Sequence, residues 1–461
     1  VLQSRRRETR DQYLARGFAT AAPDEGYDES FGISRRAYVA PRLLPQYLSD
    51  TGIVTPYHPE DNPDGHISLS VAENKMNEDL LVPKYSVAFG GKFQPEGIYY
   101  QETAGSTVLR QALSSFMSKY LNNDQYYFDP DNIIAAAGCN AILDNLFFNI
   151  TEPGDAVLLP RPYYAAFIFD VQSKANAKII PVDVIEANAS KAINTQPEKY
   201  YPTIEALEKA KKAAIDAGHR PRVLLLCQPN NPLAVCYPKH VLEQAWEWAE
   251  SEGLHVVSDE IYGAGIYDET HDFWSFGRLA ADQGRKLGDK THIVYALSKD
   301  FCSSGLRAGA LYTENQHLLT SAKKLNDLCQ ISSHTQYAIA RVLDDKEWVG
   351  EFLKESNSRL AKRFSLVKSA LEGVGVGALT PESGLFCWLD MRSWLDEDTF
   401  EAEQRLYTAL QNEAKVLLTP GFSMNTEEPG FFRCCFASYE PAFEEAMRRL
   451  VDFGKNRRQT S

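Results

Sequence analysis

Residues 296–309 read ALSKDFCSSGLRAG. An apolar strand ends here and Lys299 emerges at its tip, with Arg307 eight positions on, set among Gly305, Ala308 and Gly309. A strand-end lysine is usually only a solvated cation, but its amine is also a group that forms Schiff bases. Small residues beside an arginine allow the backbone to approach a bound anion closely. A second apolar strand, HVVSDEIY from His255, ends on Asp259 and Glu260 and is followed by Tyr262. A carboxylate held in that low-dielectric position pairs with a cation. In CQPNNPL from Cys227, prolines flank Asn230 and Asn231, which fixes the backbone and aims a side-chain amide. In AAAGCNAILDN from Ala135, a strand passes through Gly138 into a helix, and free N–H groups at a helix start bind phosphate. RPYY from Arg161 adds an aromatic face.

The elements that must position these residues follow from the hydrophobic pattern. Short apolar runs occur at Asn132–Ala137, Ala156–Leu159, Lys178–Val182, Arg222–Cys227, His255–Val257, His292–Leu297 and Ala308–Tyr312. Helical patterns such as Thr203–Ala217 and Pro238–Glu252 lie between several of them. From Ser106 another helix is expected, with Val108, Leu109, Ala112, Leu113, Phe116, Met117, Tyr120 and Leu121 on one face. Strands separated by helix-length segments predict an α/β fold with a mostly parallel seven-stranded sheet covered on both faces. Ligands of such sheets bind outside the carboxyl ends of the strands, which is where the chemistry-bearing residues fall. After about Asp344 a long helical stretch to Gly373 and short strands near Gly384–Asp390 and Phe431–Phe436 predict a smaller α+β domain. The expected division is an arm plus part of the small domain over 1–66, a large domain over 67–344 and a small domain over 345–461.

The chain has 461 residues, 44% of them hydrophobic and 24% charged, enough for a sizeable core. The formal net charge of −14 argues against a sequence-independent nucleic-acid binder, which needs a basic surface. No apolar run approaches the roughly 20 residues that cross a bilayer, so no membrane partner is expected. The eight cysteines (Cys139, Cys227, Cys236, Cys302, Cys329, Cys387, Cys434, Cys435) form no CxxC pair. They signal neither a zinc site nor a disulfide framework, and a reducing, cytoplasmic location with no metal is the simplest expectation. The Arg-rich stretch Arg5–Arg16 is read as a solvated arm rather than a presequence, because Glu8 and Asp11 interrupt it.

Taken in order, the strand ends offer a phosphate site, an aromatic face, an aimed amide, a buried acid, a lysine and an arginine. That set suits pyridoxal 5′-phosphate, which presents an aldehyde, a ring nitrogen, a phenolate oxygen and a phosphate. At these residues the chain resembles the class I/II aminotransferase family, the fold-type I pyridoxal-phosphate enzymes. Within the family it is most similar to 1-aminocyclopropane-1-carboxylate (ACC) synthase-like proteins, through SVAENKMNEDLL from Ser70, SDEIY from Ser258, LSKD from Leu297, GLFCWLDMR from Gly384 and EPGFFRCCFA from Glu428.

The resemblance implies roles. Lys299 is the Schiff-base lysine and later moves the substrate α-proton. Asp259 keeps the ring nitrogen protonated. Tyr262 and Asn231 bond the phenolate oxygen. Arg307 and backbone groups at Cys139 and Asn140 hold the phosphate. Tyr164 stacks on the ring, with Tyr163 as the alternative. Arg433 takes the substrate α-carboxylate, and Glu73 faces its amino and sulfonium end. A homodimer is implied, with sites between subunits. Two residues depart from the ACC-synthase pattern. Thr103, in QETAG from Gln101, stands at the position of a tyrosine that reaches the neighbouring subunit's site, and Ala296 replaces a phosphate-binding serine. Asn140, Ser298 or Thr103 are the expected compensations.

An enzyme that abstracts an α-proton from an amino acid is therefore expected. The favoured outcome is carbon–sulfur bond cleavage in a cysteine-type conjugate of secondary metabolism, because the template carries a sulfur leaving group while the tyrosine tied to ring closure is missing. An aminotransferase of a large or aromatic amino acid and an ACC synthase are the alternatives. A non-catalytic pyridoxal-phosphate-sensing module would need an attached DNA-binding domain, which the short, irregular N-terminal arm does not resemble.

Overall fold

The computed structural model describes residues 26–460, apart from 29, 31, 92–94, 186–195 and 268–271. The stretch Arg5–Arg16 lies outside the described residues. The seven apolar runs form one sheet of β1 (Ile133–Ala136), β2 (Ala156–Pro160), β3 (Lys178–Val182), β4 (Pro221–Cys227), β5 (His255–Asp259), β6 (Thr291–Ala296) and β7 (Gly309–Thr313). Their order across the sheet is β1-β7-β6-β5-β4-β2-β3. β7 runs antiparallel to β1 and β6, and the other pairs are parallel.

The runs are continuously apolar because both faces are covered. Alternate residues serve the two sides. Ile133, Leu158, Leu224, Leu226 and Val256 belong to one core, and Ile134, Val157, Leu159, Leu225 and Val257 to the other. Two boundaries differ from the sequence expectation in ways that matter. β5 extends two residues beyond the apolar run His255–Val257, so Asp259 is the last residue of the strand. β6 stops at Ala296, where its pairing with Gly309 ends, and Leu297–Asp300 turns into a single helical turn that carries Lys299.

The helices that matter here begin with α1 (Gln46–Ile53), α2 (Thr107–Tyr120) and α3 (Cys139–Ile150), followed by α4 (Phe167–Gln172), α5 (Ile204–Asp216) and α6 (Lys239–Ser251). Ser106 caps α2 by accepting the Leu109 N–H at 3.4 Å. The expected buried face of α2 is present except for Tyr120, which is partly buried, and Val108, which is 42% exposed. At roughly 100° per residue Val108 falls at the edge of the stripe centred on Leu109, Leu113 and Phe116, so it faces outward. α1 falls in the segment expected to be an irregular arm. Its only buried residue is Tyr47, and one buried position gives no 3.6-residue repeat to detect.

Beyond Asp345, which caps the next helix through the Trp348 N–H, come α7 (Lys346–Glu372) and a four-stranded antiparallel sheet. Its strands are β8 (Gly377–Leu379), β9 (Phe386–Asp390), β10 (Thr419–Pro420) and β11 (Phe431–Cys435), in the order β10-β11-β9-β8. The chain then forms α8 (Glu440–Thr460). Ile67–Ser68 pairs in parallel with Val416–Leu417, tying the early segment to this C-terminal part. No helix among the described residues is long and apolar enough to cross a membrane.

Candidate active site

Parallel strands deliver their carboxyl ends to one edge of a sheet. Here β2, β4, β5 and β6 do so, and the segments leaving them carry Tyr164, Asn231, Asp259 and Lys299 into one cavity of about 160 Å³. β11 of the smaller sheet contributes Arg433 to the same cavity, and the start of α3 contributes Cys139 and Asn140. Tyr262 and Arg307 complete the expected set.

Lys299 Nζ donates to the Ala72 carbonyl at 2.6 Å. Burial disfavours the ammonium form and lowers the amine to about 8. Asp259 is 4% exposed. Its Oδ1 accepts the Ile261 N–H at 3.3 Å and faces the Cys139 thiol at 3.9 Å. Burial pushes the carboxyl up to about 7, against the opposing pull of the Ile261 N–H, the Cys139 thiol and Lys299.

Asn231 connects two other members. Its Nδ2 donates to the Tyr262 hydroxyl at 3.4 Å and its Oδ1 accepts from Arg433 Nη1 at 2.9 Å. Arg433 Nη2 donates to the Ser70 carbonyl at 2.7 Å and to Thr419 Oγ1 at 3.3 Å. Arg433 is 1% exposed, and its Nε is buried without a partner among the described residues. A buried guanidinium held only by neutral groups favours an incoming carboxylate.

At the other end, Gly138 precedes α3 with φ +89°. A Cβ at this glycine would lie 2.4 Å from Arg307 Nη2. Glycine therefore brings the N–H groups that open α3 against the guanidinium, which is a cradle for an anion. Arg307 is held by the Ser304 carbonyl at 2.9 Å and the Ala137 carbonyl at 3.3 Å. Of the two tyrosines considered for the aromatic wall, Tyr164 lines the cavity. Tyr163 is 3% exposed and accepts from Asn425 Nδ2 at 2.6 Å instead.

Glu73 is the expected residue that does not line this cavity. It stands exposed at the rim, where Ser304 donates to it at 3.1 Å and Lys75 pairs with it at 3.7 Å. Thr103 also lies outside, its carbonyl accepting from Asn326 Nδ2. Ala296 is 1% exposed and Ser298, two residues on, lines the cavity. Sequence reasoning missed Tyr47, Asp170, Cys227 and Ser304, all of which line it. Tyr47 and Ser304 carry no local signal. Asp170 does, being an acid inside the apolar run FIFDV.

A larger open groove of about 590 Å³ borders Arg448 and Arg449. Both arginines are engaged by Glu445, and Arg448 also by Asp452. That groove assembles no comparable chemistry. No group of three or more His, Cys, Asp or Glu side chains among the described residues could hold a metal ion.

A buried amine and a buried acid line one cavity together with the start of α3 and Arg307, and this set defines the class of protein. The chain belongs to the aminotransferase class I and II family, whose model matches residues 69–450, and it is a pyridoxal 5′-phosphate-dependent enzyme. It is 34% identical over 408 residues to 1-aminocyclopropane-1-carboxylate synthase 6 of Arabidopsis thaliana, covering 86% of this chain and 80% of that one. It is 35% identical over 394 residues to 1-aminocyclopropane-1-carboxylate synthase 2 of Solanum lycopersicum, covering 84% and 79%. In fold it is similar to the aromatic aminotransferase of Pyrococcus horikoshii OT3, with TM-score 0.71, 22% identity and coverage of 85% and 96%. It is equally similar to aspartate aminotransferase of Thermus thermophilus with maleate, with TM-score 0.71, 22% identity and coverage of 91% and 99%.

Proposed function

We propose that the protein is a carbon–sulfur lyase that takes a cysteine-type conjugate, with Lys299 as the proton-moving amine and Arg433 as the carboxylate anchor. The observation that carries this reading is the convergence of Lys299, Asp259 and Arg433 on one cavity, with the Arg433 guanidinium buried and its Nε without a partner among the described residues. The residues suit pyridoxal phosphate: the cradle of Gly138, α3 and Arg307 for the phosphate, Asp259 for the ring nitrogen, and Asn231 with Tyr262 for the phenolate oxygen. When bound, the cofactor supplies a sink for the electrons left behind by a departing α-proton.

The protein's own groups do the rest. Arg433 holds the substrate α-carboxylate in a two-pronged ion pair, and this fixes which bond at Cα points toward Lys299. The lowered Lys299 amine, in its neutral form, takes the α-proton as general base. With the cofactor bound, Asp259 would pair with the ring nitrogen, whose positive charge would favour the carboxylate form. Tyr164, which lines the cavity, would cover the ring face. A β-sulfur substituent then leaves as a thiol, and hydrolysis of the remaining fragment yields an oxo acid and ammonia.

Thr103 supports elimination over ring closure, because it stands at the position of the tyrosine associated with ring closure. ACC formation is the second reading, favoured by the identity of 34–35% to proteins named for that activity. One experiment separates the outcomes. The purified protein is offered S-conjugated cysteines, S-adenosylmethionine and aromatic amino acids separately. Pyruvate, ammonia and thiol without an added amino acceptor establish the lyase. ACC release, or strict dependence on an added oxo acid, overturns it in favour of synthase or aminotransferase.

The same proposal includes the division at residues 66 and 344, a homodimer and a place in the cytoplasm and in secondary metabolism. Ile98, Tyr99 and Tyr100, next to the QETAG segment, are 71%, 67% and 100% exposed, which suits a covered apolar patch. All eight cysteines are free, which suits a reducing compartment.

A further inference from the structure

Asp170 takes no part in the roles assigned above, yet it lies on α4, lines the cavity and is 2% exposed. Its Oδ1 accepts from Asn140 Nδ2 at 2.9 Å. Its Oδ2 is buried with no partner among the described residues. No cation among the described residues pairs with it. An acid buried this way is costly unless it fixes something.

What it fixes is the first turn of α3. Asn140 is the second residue of that helix, directly beyond the Gly138 turn that packs against Arg307. An exposed asparagine at a helix start is free to rotate and to fold back on its own backbone. The bond to Asp170 occupies one of the two Nδ2 hydrogens and fixes the amide plane, leaving the second hydrogen for an anion in the cradle. Burial, with Asp259 and Asp144 adding to it, raises the Asp170 carboxyl to about 7 despite the opposing Asn140 bond. A nearby phosphate favours the neutral acid further, so Asp170 can sit beside the cradle without adding a full like charge.

We propose that Asp170 is a positioning residue for the phosphate end of the cofactor, acting through Asn140. The inference rests on the pyridoxal-phosphate reading of the cavity and names a residue that reading does not use.

The test measures binding to the cofactor-free protein of pyridoxine 5′-phosphate, which carries the phosphate but no aldehyde, and of unphosphorylated pyridoxine. Asp170→Ala is expected to weaken pyridoxine 5′-phosphate about tenfold, the scale of one charge-assisted hydrogen bond, and to leave pyridoxine unchanged. Asp170→Asn, which still accepts from Asn140, is expected to restore binding. Asn140→Ala is expected to match Asp170→Ala, and the double variant to be no weaker than either single one, since the two act as a unit. Equal affinity of Asp170→Ala and the unaltered protein overturns the proposal. So does equal weakening toward both ligands, or additive losses in the double variant. Failure of the unaltered protein to prefer the phosphorylated ligand instead overturns the placing of the phosphate cradle. Thermal melting of each variant shows whether it is folded, and Asp170→Asn keeps the test open if Asp170→Ala does not fold.

Discussion

Arg433 donates its Nη1–H to Oδ1 of Asn231 at 2.9 Å, and the same amide donates its Nδ2–H to the Tyr262 hydroxyl. The group proposed to hold the substrate is thus linked by one side chain to the phenol proposed to face the cofactor. A carboxylate drawing on Arg433 alters what Asn231 feels, and through it the hydrogen bond at Tyr262.

Replacing Arg433 separates the two ends of this link. Arg433→Ala is expected to raise the KM for an amino acid by about 100-fold or more, given the roughly 3–5 kcal/mol at stake when a buried charge loses its partner. Cofactor affinity is expected to move only a few-fold. Steady-state kinetics and cofactor titration measure the two, and an unchanged KM moves the carboxylate site elsewhere.

Gly138 tests the cradle. Alanine there meets the Arg307 guanidinium at 2.4 Å and must hold φ +89° with ψ 171°, a conformation nearly confined to glycine that costs roughly 1–3 kcal/mol. Gly138→Ala is expected to weaken pyridoxal-phosphate binding at least about tenfold, the equivalent of 1.4 kcal/mol. Fluorescence titration of the cofactor-free protein checks this. Unaltered affinity removes the α3 start from the phosphate site.

The lowered Lys299 amine predicts a pH profile for cofactor uptake. Only the neutral amine attacks an aldehyde, so the reconstitution rate is expected to rise with pH up to about 8 and then level off. Stopped-flow absorbance follows it. A rise that continues to the ordinary lysine range, near pH ~10.4, contradicts the lowering.

Asp259 predicts a stability trend for the cofactor-free protein. Its folded-state value is raised, to about 7, above an ordinary carboxyl near 3.8. The folded form therefore binds more protons than the unfolded one between those limits, and the contribution is lost as pH rises toward 7. Asp259→Asn cannot ionise there. Its melting temperature is expected to gain on that of the unaltered protein between pH 5 and 8, on the linkage argument. A constant difference across that range argues that Asp259 does not carry a raised carboxyl.

The sheet and most of the candidate site were legible in the sequence for a single reason. A parallel sheet buried on both faces makes apolar runs of strand length, and its ligand edge makes those runs end in polar residues. Asp259, Lys299 and Asn231 all announce themselves in this way. Arg433 and Glu73 were named only through family resemblance. The Arg433 strand is apolar like many others, and Glu73 turned out to be a half-exposed acid paired with Lys75. Tyr47 was not legible because α1 buries only that one residue. Asp170 was overlooked because a lone acid in an apolar run acquires meaning only once Asn140 is seen to reach it.

The central claim is that one amine, Lys299, carries the cofactor. Borohydride reduction of the reconstituted enzyme followed by peptide mapping by mass spectrometry tests it most directly. A phosphopyridoxyl group on the peptide containing Lys299, absent from Lys299→Ala, is the expected result. A label on another lysine, or none in a protein that still turns over amino acid, contradicts it.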